Sequence, residues 1–203
     1  MKKSFSLIEV IFIISLLGII ATYGLPKNNI SKIKLAKNQL LLHLKYTRYI
    51  AMLDNKYDLE KALWYKQRWN MKFLNCQESI GGIYYAIYSD EDMNGQISKE
   101  ETLQDPLTNE YIYSYQCTKD SLYDKSKFVL LSETYGVDFI DISCNETSTI
   151  GQIIFDHDGK VYTKHNENIE KYEIKEPCTI KLSNKNNENE IITIYPNSGF
   201  IEG

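Results

Sequence analysis

Phe5-Ser6-Leu7-Ile8-Glu9-Val10-Ile11-Phe12-Ile13-Ile14-Ser15-Leu16-Leu17-Gly18-Ile19-Ile20-Ala21-Thr22-Tyr23-Gly24-Leu25 is a run of 21 residues with a single charged side chain, Glu9. As a helix rising about 1.5 Å per residue it would be roughly 32 Å long, close to the thickness of a bilayer's hydrocarbon core. It is long enough to span. Lys2 and Lys3 precede it, and positive charge on a short leading end favours a cytoplasmic amino terminus with everything after Leu25 exported. A cleaved secretory signal starts in the same way, but Ile19-Ile20-Ala21 and Thr22-Tyr23-Gly24 are poor cleavage sites, and helix-forming sequence continues past them.

Glu9 is the informative residue. A carboxylate within the apolar layer costs on the order of 3 kcal/mol on insertion scales, so it needs a partner or a route to the interface. One reading is an acid snorkelling to the cytoplasmic surface. The other is that the chain is cut just before Phe5, and the new α-amino group of one subunit pairs with Glu9 of the next, setting the register between them.

Lys2-Lys3-Ser4 followed by Phe5-Ser6-Leu7-Ile8-Glu9-Val10 resembles the leader of type IV pilins and type II secretion pseudopilins. That family has a short basic start, a small residue at the cut, a phenylalanine that becomes the methylated first residue, and a glutamate four residues after it. Pro26 also falls where the family commonly carries a proline. Ser4 stands where the family nearly always has glycine. The resemblance covers about the first 26 residues. It implies processing at Ser4 and Phe5 by a prepilin peptidase, and assembly through Phe5, Glu9 and Pro26.

Beyond Pro26, which lacks an amide proton and favours a kink, Ile30, Ile33, Ala36, Leu40, Leu44 and Ala51 recur at helical spacing. A second line runs through Leu35, Leu42, Tyr46, Tyr49 and Leu53. The two lines predict an amphipathic helix with a wide buried face lying across a sheet. Lys32, Lys34, Lys37, Lys45 and Arg48 fill much of the remainder, as a solvated face or as a surface for anionic headgroups or acidic neighbours. Unbroken from Phe5 to Asp54, such a helix would be about 75 Å long.

After Lys56 the period changes to two. Leu63, Tyr65, Gln67, Trp69, Met71 and Phe73 alternate as in a half-buried strand. Strand-like runs follow at 83–88, 111–115, 128–131, 137–142, 152–155, 161–163, 179–182 and 191–195. Asp158-Gly159 signals a two-residue hairpin, and Asn197-Ser198-Gly199 turns the chain back for a terminal one. The expected organisation is a leader at 1–4, a membrane-spanning half-helix at 5–25, an amphipathic half at 26–55 and a β-rich periplasmic body at 56–203. That makes an α+β fold, a long N-terminal helix packed on an antiparallel sheet or small β-sandwich, which the resemblance would call pilin-like. Within the family, Leu44, Arg48 and Ala51 at the helix end, an Asp-rich turn after the second strand, the hairpin from Ile153 to Gly159 and the closing hairpin near Gly199 are similar to the H-type minor pseudopilins.

Asp90-Glu91-Asp92-Met93-Asn94-Gly95-Gln96-Ile97-Ser98-Lys99-Glu100-Glu101 matches a twelve-residue calcium loop. Asp90, Asp92 and Asn94 would give side-chain oxygens, Gln96 its carbonyl, Ser98 a hydroxyl or water, and Glu101 two oxygens for Ca2+, with Gly95 permitting the turn. The strand-like sequence before it removes the paired helices of an EF-hand, so a solvated acidic turn is the competing reading. Cys76, Cys117, Cys144 and Cys178 all lie in the body, at spacings that fit no zinc or redox motif. An exported body favours disulfides. Four cysteines allow three pairings, between which sequence does not choose. Cys76 with Cys117 and Cys144 with Cys178 is the working pairing, with free thiols as the alternative.

Charge is split along the chain. Residues 1–55 carry a net charge of +6 and residues 56–203 a net of −10. An acidic body is a poor partner for phosphate backbones, so direct nucleic-acid binding is not expected. His43, His157 and His165 are scattered, and no nucleophile with a base or phosphate-cradling loop is evident, so no enzyme is expected. The resemblance implies a minor pseudopilin of a type II secretion pseudopilus, in the inner membrane with its body periplasmic. Its partners would be other pseudopilins or pilins, the peptidase and the inner-membrane assembly platform. A minor subunit of a type IV pilus or DNA-uptake machine is the alternative, and a signal-anchored calcium-dependent lectin or sensor acting alone is a third.

Overall fold

A computed structural model describes residues 6–24, 31–113, 126–168 and 170–203. The chain divides into two compact units, Met1–Ile30 and Ser31–Gly203. Ser4, Phe5, Pro26 and Cys117, together with the second half of the strand expected at 111–115, lie outside the described residues.

The first unit holds helix α1, Leu7–Gly24. Ser6 and Glu9 cap its start reciprocally: Glu9 Oε2 accepts the Ser6 backbone N–H at 3.0 Å, and Ser6 Oγ accepts that of Ile8 at 3.4 Å. The Glu9 contact is the one a capping box makes, and the two bonds satisfy orphan donors at the helix start. Leu7, Ile8, Phe12 and Ile14 are all more than 60% exposed, so the unit buries none of these side chains itself. Among the described residues no helix is long and apolar enough to cross a membrane. The 18 residues of α1 rise about 27 Å, a little short of the ~30 Å core. The single helix expected from Phe5 to Asp54 is described as two, because residues 25–30 between them lie outside the described set.

The second unit begins with helix α2, Lys32–Leu53, which buries Ile33, Ala36, Leu40, His43, Leu44, Thr47 and Ala51. That is the first expected apolar line. The second stays largely in solvent, with Leu35 at 41%, Leu42 at 44%, Tyr49 at 56% and Leu53 at 64% exposure. Tyr46 packs partly against the core, but the buried face is narrower than the sequence predicts, because the described residues do not cover the rest of the second line. Leu40 and Leu44, fully buried, contribute roughly 1.5–3 kcal/mol each.

Two four-stranded antiparallel sheets receive α2. The strands are β1 (Trp69–Asn75), β2 (Ile83–Tyr88), β3 (Phe139–Ile142), β4 (Gly151–Phe155), β5 (Val161–Tyr162), β6 (Cys178–Ser183), β7 (Asn189–Ile194) and β8 (Ile201–Glu202). Their orders are β2-β1-β4-β5 and β3-β6-β7-β8. Helix α2 packs on β1 and β4 of one sheet and on β6, β7 and β8 of the other, so one core runs through both. The fold is thus α+β with a helix packed on antiparallel sheets. In β6 the alternation is clean, Cys178, Ile180 and Leu182 inward and Lys181 outward. All six residues of β2 are buried, since helix α3 (Leu131–Tyr135) packs on it and Leu103 and Ile112 bond to its Ile87.

Three expected strands are corrected. Of the one at 111–115, the described residues 111–113 make only an isolated bridge from Tyr111 to Gln104. Trp64–Gln67 is a 3-10 turn, and the strand starts only at Trp69. Alternation fails there because Arg68 turns inward, stacking between Trp64 at 4.7 Å and Tyr162 at 4.2 Å, with Nη2 2.6 Å from Asp156 Oδ2. Phe128 to Leu131 is not a strand either. Lys127–Val129 is a 3-10 turn leading into α3, which Gly136 closes at φ +70°. A four-residue apolar run does not distinguish strand from buried helix.

The two hairpin tips meet. Between β4 and β5 the loop is longer than expected: Asp156 pairs with Lys160, the Gly159 N–H donates to Asp156 O at 3.0 Å, and Gly159 has φ +84°. Only the last loop residue is left-handed, so this is a type I turn with a glycine bulge, not the two-residue turn that needs two positive φ values. Between β7 and β8 the chain turns at Asn197-Ser198-Gly199 as the sequence predicts, with Asn197 and Gly199 at positive φ. Arg48 of α2 donates from Nε to Ser198 O at 2.9 Å. A Cβ on Gly199 would lie 2.6 Å from Gly159 O.

Cys144 and Cys178 form a disulfide. Cys76 is also disulfide-bonded.

Candidate functional site

Three places concentrate chemistry: the acid at the head of α1, the acidic loop after β2, and a buried histidine under α2. Each lies on a different element.

At the head of α1, Glu9 is the only acid in the helix, and it sits in the first turn, where the positive end of the helix dipole favours it. With Ile8, Phe12 and Ile13 it lines a small, almost wholly apolar groove. Such a groove offers one charge to whatever apolar surface covers it. Phe5 and Ser4, the other residues of the expected processing site, lie outside the described residues.

The loop after β2 closes on itself. Asp90 is 6% exposed, and its Oδ2 accepts the Gly95 N–H at 3.0 Å. Gly95 has φ +77°, which explains the glycine there. Asp92 Oδ1 accepts the Asn94 N–H at 3.0 Å, and Asn94 Oδ1 accepts that of Gln96 at 2.6 Å. Glu101 folds back from the far end, accepting the Asp92 N–H at 3.2 Å and the Ser98 hydroxyl at 2.8 Å. Carboxylate oxygens of Asp90, Asp92 and Glu101 lie within 4.8 Å of one another. Burial pushes the Asp90 carboxyl up; the Gly95 N–H opposes this, and the nearby Glu101 charge adds to it. The loop is tied to the end of α2. Lys56 Nζ is 2.5 Å from Glu91 Oε1 and 2.8 Å from Asp54 Oδ2, and Gln67 donates to the Glu91 carbonyl. Asp54, the residue that ends α2, also accepts from Trp69 Nε1 at 3.0 Å.

Sequence reading missed the third place. His43 is 1% exposed, with Nε2 3.0 Å from Asp105 Oδ2 and Nδ1 2.7 Å from the Tyr85 hydroxyl. A neutral ring donates from Nε2 to the carboxylate and accepts the phenol proton at Nδ1. Gln39 lies 2.9 Å from Nε2 as well. The constellation is hydrogen-bonded like a relay, but Tyr85 and Asp105 are 0% and 2% exposed. Its work is to join α2 to β2 and to the loop at 103–110. No signal in the sequence links partners 42 and 62 residues apart.

Burial holds the His43 ring below its ordinary value, against the opposing pull of Asp105. Desolvation also lowers the half-buried His165, which donates from Nδ1 to Tyr65 O. Both favour the neutral form in the folded chain, so their contribution is complete above the unfolded histidine value of about 6.5 and is lost as pH falls below it. Asp105 is lowered despite its burial, by the Leu107 N–H first and then His43, so its share survives until pH falls below the ordinary carboxylate range. The urea midpoint should therefore drop between about pH 7 and 5, and His43→Gln should flatten that slope. An equal slope in the variant would place the proton uptake elsewhere.

A cleft of about 1050 Å³ lies at the β1–β2 turn beside Phe139 and is lined by Lys185, which pairs with Glu78 and Asp138. It contains none of the three places above.

No family model, curated protein or solved structure matches the chain.

Proposed function

We propose that this chain is a minor pseudopilin, built into a short periplasmic fibre that serves type II secretion. One observation carries the reading: a helix that is apolar on every side, bearing one acid in its first turn, precedes an acidic globular unit. An all-round apolar helix with exposed side chains requires a lipid or protein environment that the chain alone does not provide. In this reading the stretch from Phe5 to Leu25 sits in the inner membrane until a prepilin peptidase cuts after Ser4. The helix then packs beside its neighbours, and the amine of one Phe5 meets the Glu9 of the next. The exposed line of Leu35, Leu42, Tyr49 and Leu53 on α2 would offer neighbouring subunits an apolar surface of its own.

The convergence of Arg48, Gly159 and Gly199 supports the more specific H-type reading, since these residues belong to the features that suggested it. The net charge of −10 on residues 56–203 sets the body against direct DNA contact, though not against membership of an uptake machine. Deleting the gene separates the two. Loss of export of a secreted enzyme with DNA uptake intact is the expected result. Lost transformation with normal export would assign the chain to the uptake machine instead.

A further inference from the structure

We infer that the loop from Asp90 to Glu101 is a calcium site that braces the end of helix α2. An acidic turn alone would not justify this, because exposed carboxylates tolerate one another in water. The deciding atom is Asp90 Oδ1. It belongs to a side chain that is 94% buried, and it has no hydrogen-bond partner. Its twin, Oδ2, is held by the Gly95 N–H, which fixes the carboxylate. A buried charged oxygen without a partner is costly, and proteins rarely leave one so.

Asp92 and Glu101 bring their own carboxylates to the Asp90 carboxylate. Oxygens that share one ion at about 2.4 Å must all fall within about 4.8 Å of one another. Carboxylate oxygens of Asp90, Asp92 and Glu101 meet this condition at 4.8 Å. None of the ion pairs among the described residues involves these three side chains. The Asn94 amide, the Gln96 carbonyl and the Ser98 hydroxyl are the remaining oxygens in the pattern. An all-oxygen set drawn from one flexible loop suits calcium. Magnesium demands a tighter octahedron, and zinc prefers nitrogen or sulfur ligands.

The consequence lies outside the loop. Glu91, between two of the ligands, accepts from Lys56, which also grips Asp54 at the end of α2. Ordering the loop therefore fixes the last turn of that helix, whatever α1 does in the membrane.

The test is a calcium titration of the full-length chain in detergent micelles, read by melting temperature and by calorimetry, with magnesium as the comparison. The expected result is one ion per chain, binding in the range of about 10⁻⁴–10⁻³ M typical of extracellular modules. The melting temperature should rise saturably, and amide exchange at residues 50–54 should slow. Asp92→Asn, at an exposed position, should weaken binding by at least about tenfold while melting no lower than the unchanged chain in chelator, because removing a charge relieves repulsion. No heat and no melting shift up to about 10 mM calcium would overturn the proposal. So would an equal response to magnesium, or calcium affinity unchanged by Asp92→Asn. Should a variant fail to fold, the stoichiometry of the unchanged chain still decides.

Discussion

Gly199→Ala is expected to melt roughly 10 °C below the unchanged chain. Two costs add. Gly199 has φ +60°, where a residue with a Cβ loses about 1–2 kcal/mol. The new methyl would also sit 2.6 Å from the backbone oxygen of Gly159 and 3.3 Å from Arg48 Nε. A backbone oxygen cannot swing away as a side chain does, so one hairpin tip must retreat, at about 1–3 kcal/mol in the manner of overpacking. Together they come to about 3 kcal/mol, and in a domain of this size each kcal/mol moves the midpoint by about 2–4 °C. Gly136 is the control. It has φ +70° but nothing within 4 Å of its would-be Cβ, so Gly136→Ala should lose only the conformational part. If both variants melt together, the meeting of the two tips does not matter to stability.

Glu9→Gln is expected to remove the chain from assembled fibres almost as completely as Glu9→Ala. The comparison separates two functions for one carboxylate. In the isolated chain Glu9 makes the capping-box contact to the Ser6 backbone N–H, and glutamine does this nearly as well as glutamate. A cap contributes about 1 kcal/mol. An unpaired acid in the apolar layer costs on the order of 3 kcal/mol, so its neutralisation by a neighbour's amine outweighs the cap. Glutamine keeps the cap and loses the charge. If the charge sets the register between subunits, the fraction of chain recovered in sheared fibres should fall at least about tenfold in both variants, with membrane levels unchanged. If Glu9→Gln assembles normally and Glu9→Ala does not, Glu9 acts as a helix cap only.

Much of the architecture was legible because it is written in short-range patterns. Met71 and Phe73 in β1, Cys178, Ile180 and Leu182 in β6, and the Asn197-Ser198-Gly199 turn follow from alternation and turn chemistry, and each lies where those patterns put it. The apolar run from Phe128 to Leu131 misled, because its partner signal, Gly136 at the helix end, lies five residues further on. The stretch from Leu63 to Gln67 misled for a different reason: Arg68 reads as a solvent-facing cation, and only the rings of Trp64 and Tyr162 on either side make its burial tolerable. The width of the α2 face was overestimated since periodicity reports which side chains share a side, not whether this chain covers them. Of the candidate places, the acidic loop is a pattern within twelve consecutive residues, and the structure brings its Asp90, Asp92 and Glu101 together. The link from Glu91 through Lys56 to Asp54 could not, being assembled from segments that meet only in three dimensions. The same holds for His43, whose partners come from β2 and the 103–110 loop.

In the proposed reading, assembly through α1 requires a free amine created at Phe5, and the mass of the mature amino terminus examines that directly. Chain purified from membranes and digested should yield an amino-terminal peptide beginning at Phe5 and carrying one N-methyl group. A peptide retaining Met1, Lys2 and Lys3 would leave Glu9 without its counter-charge and contradict assembly through this helix.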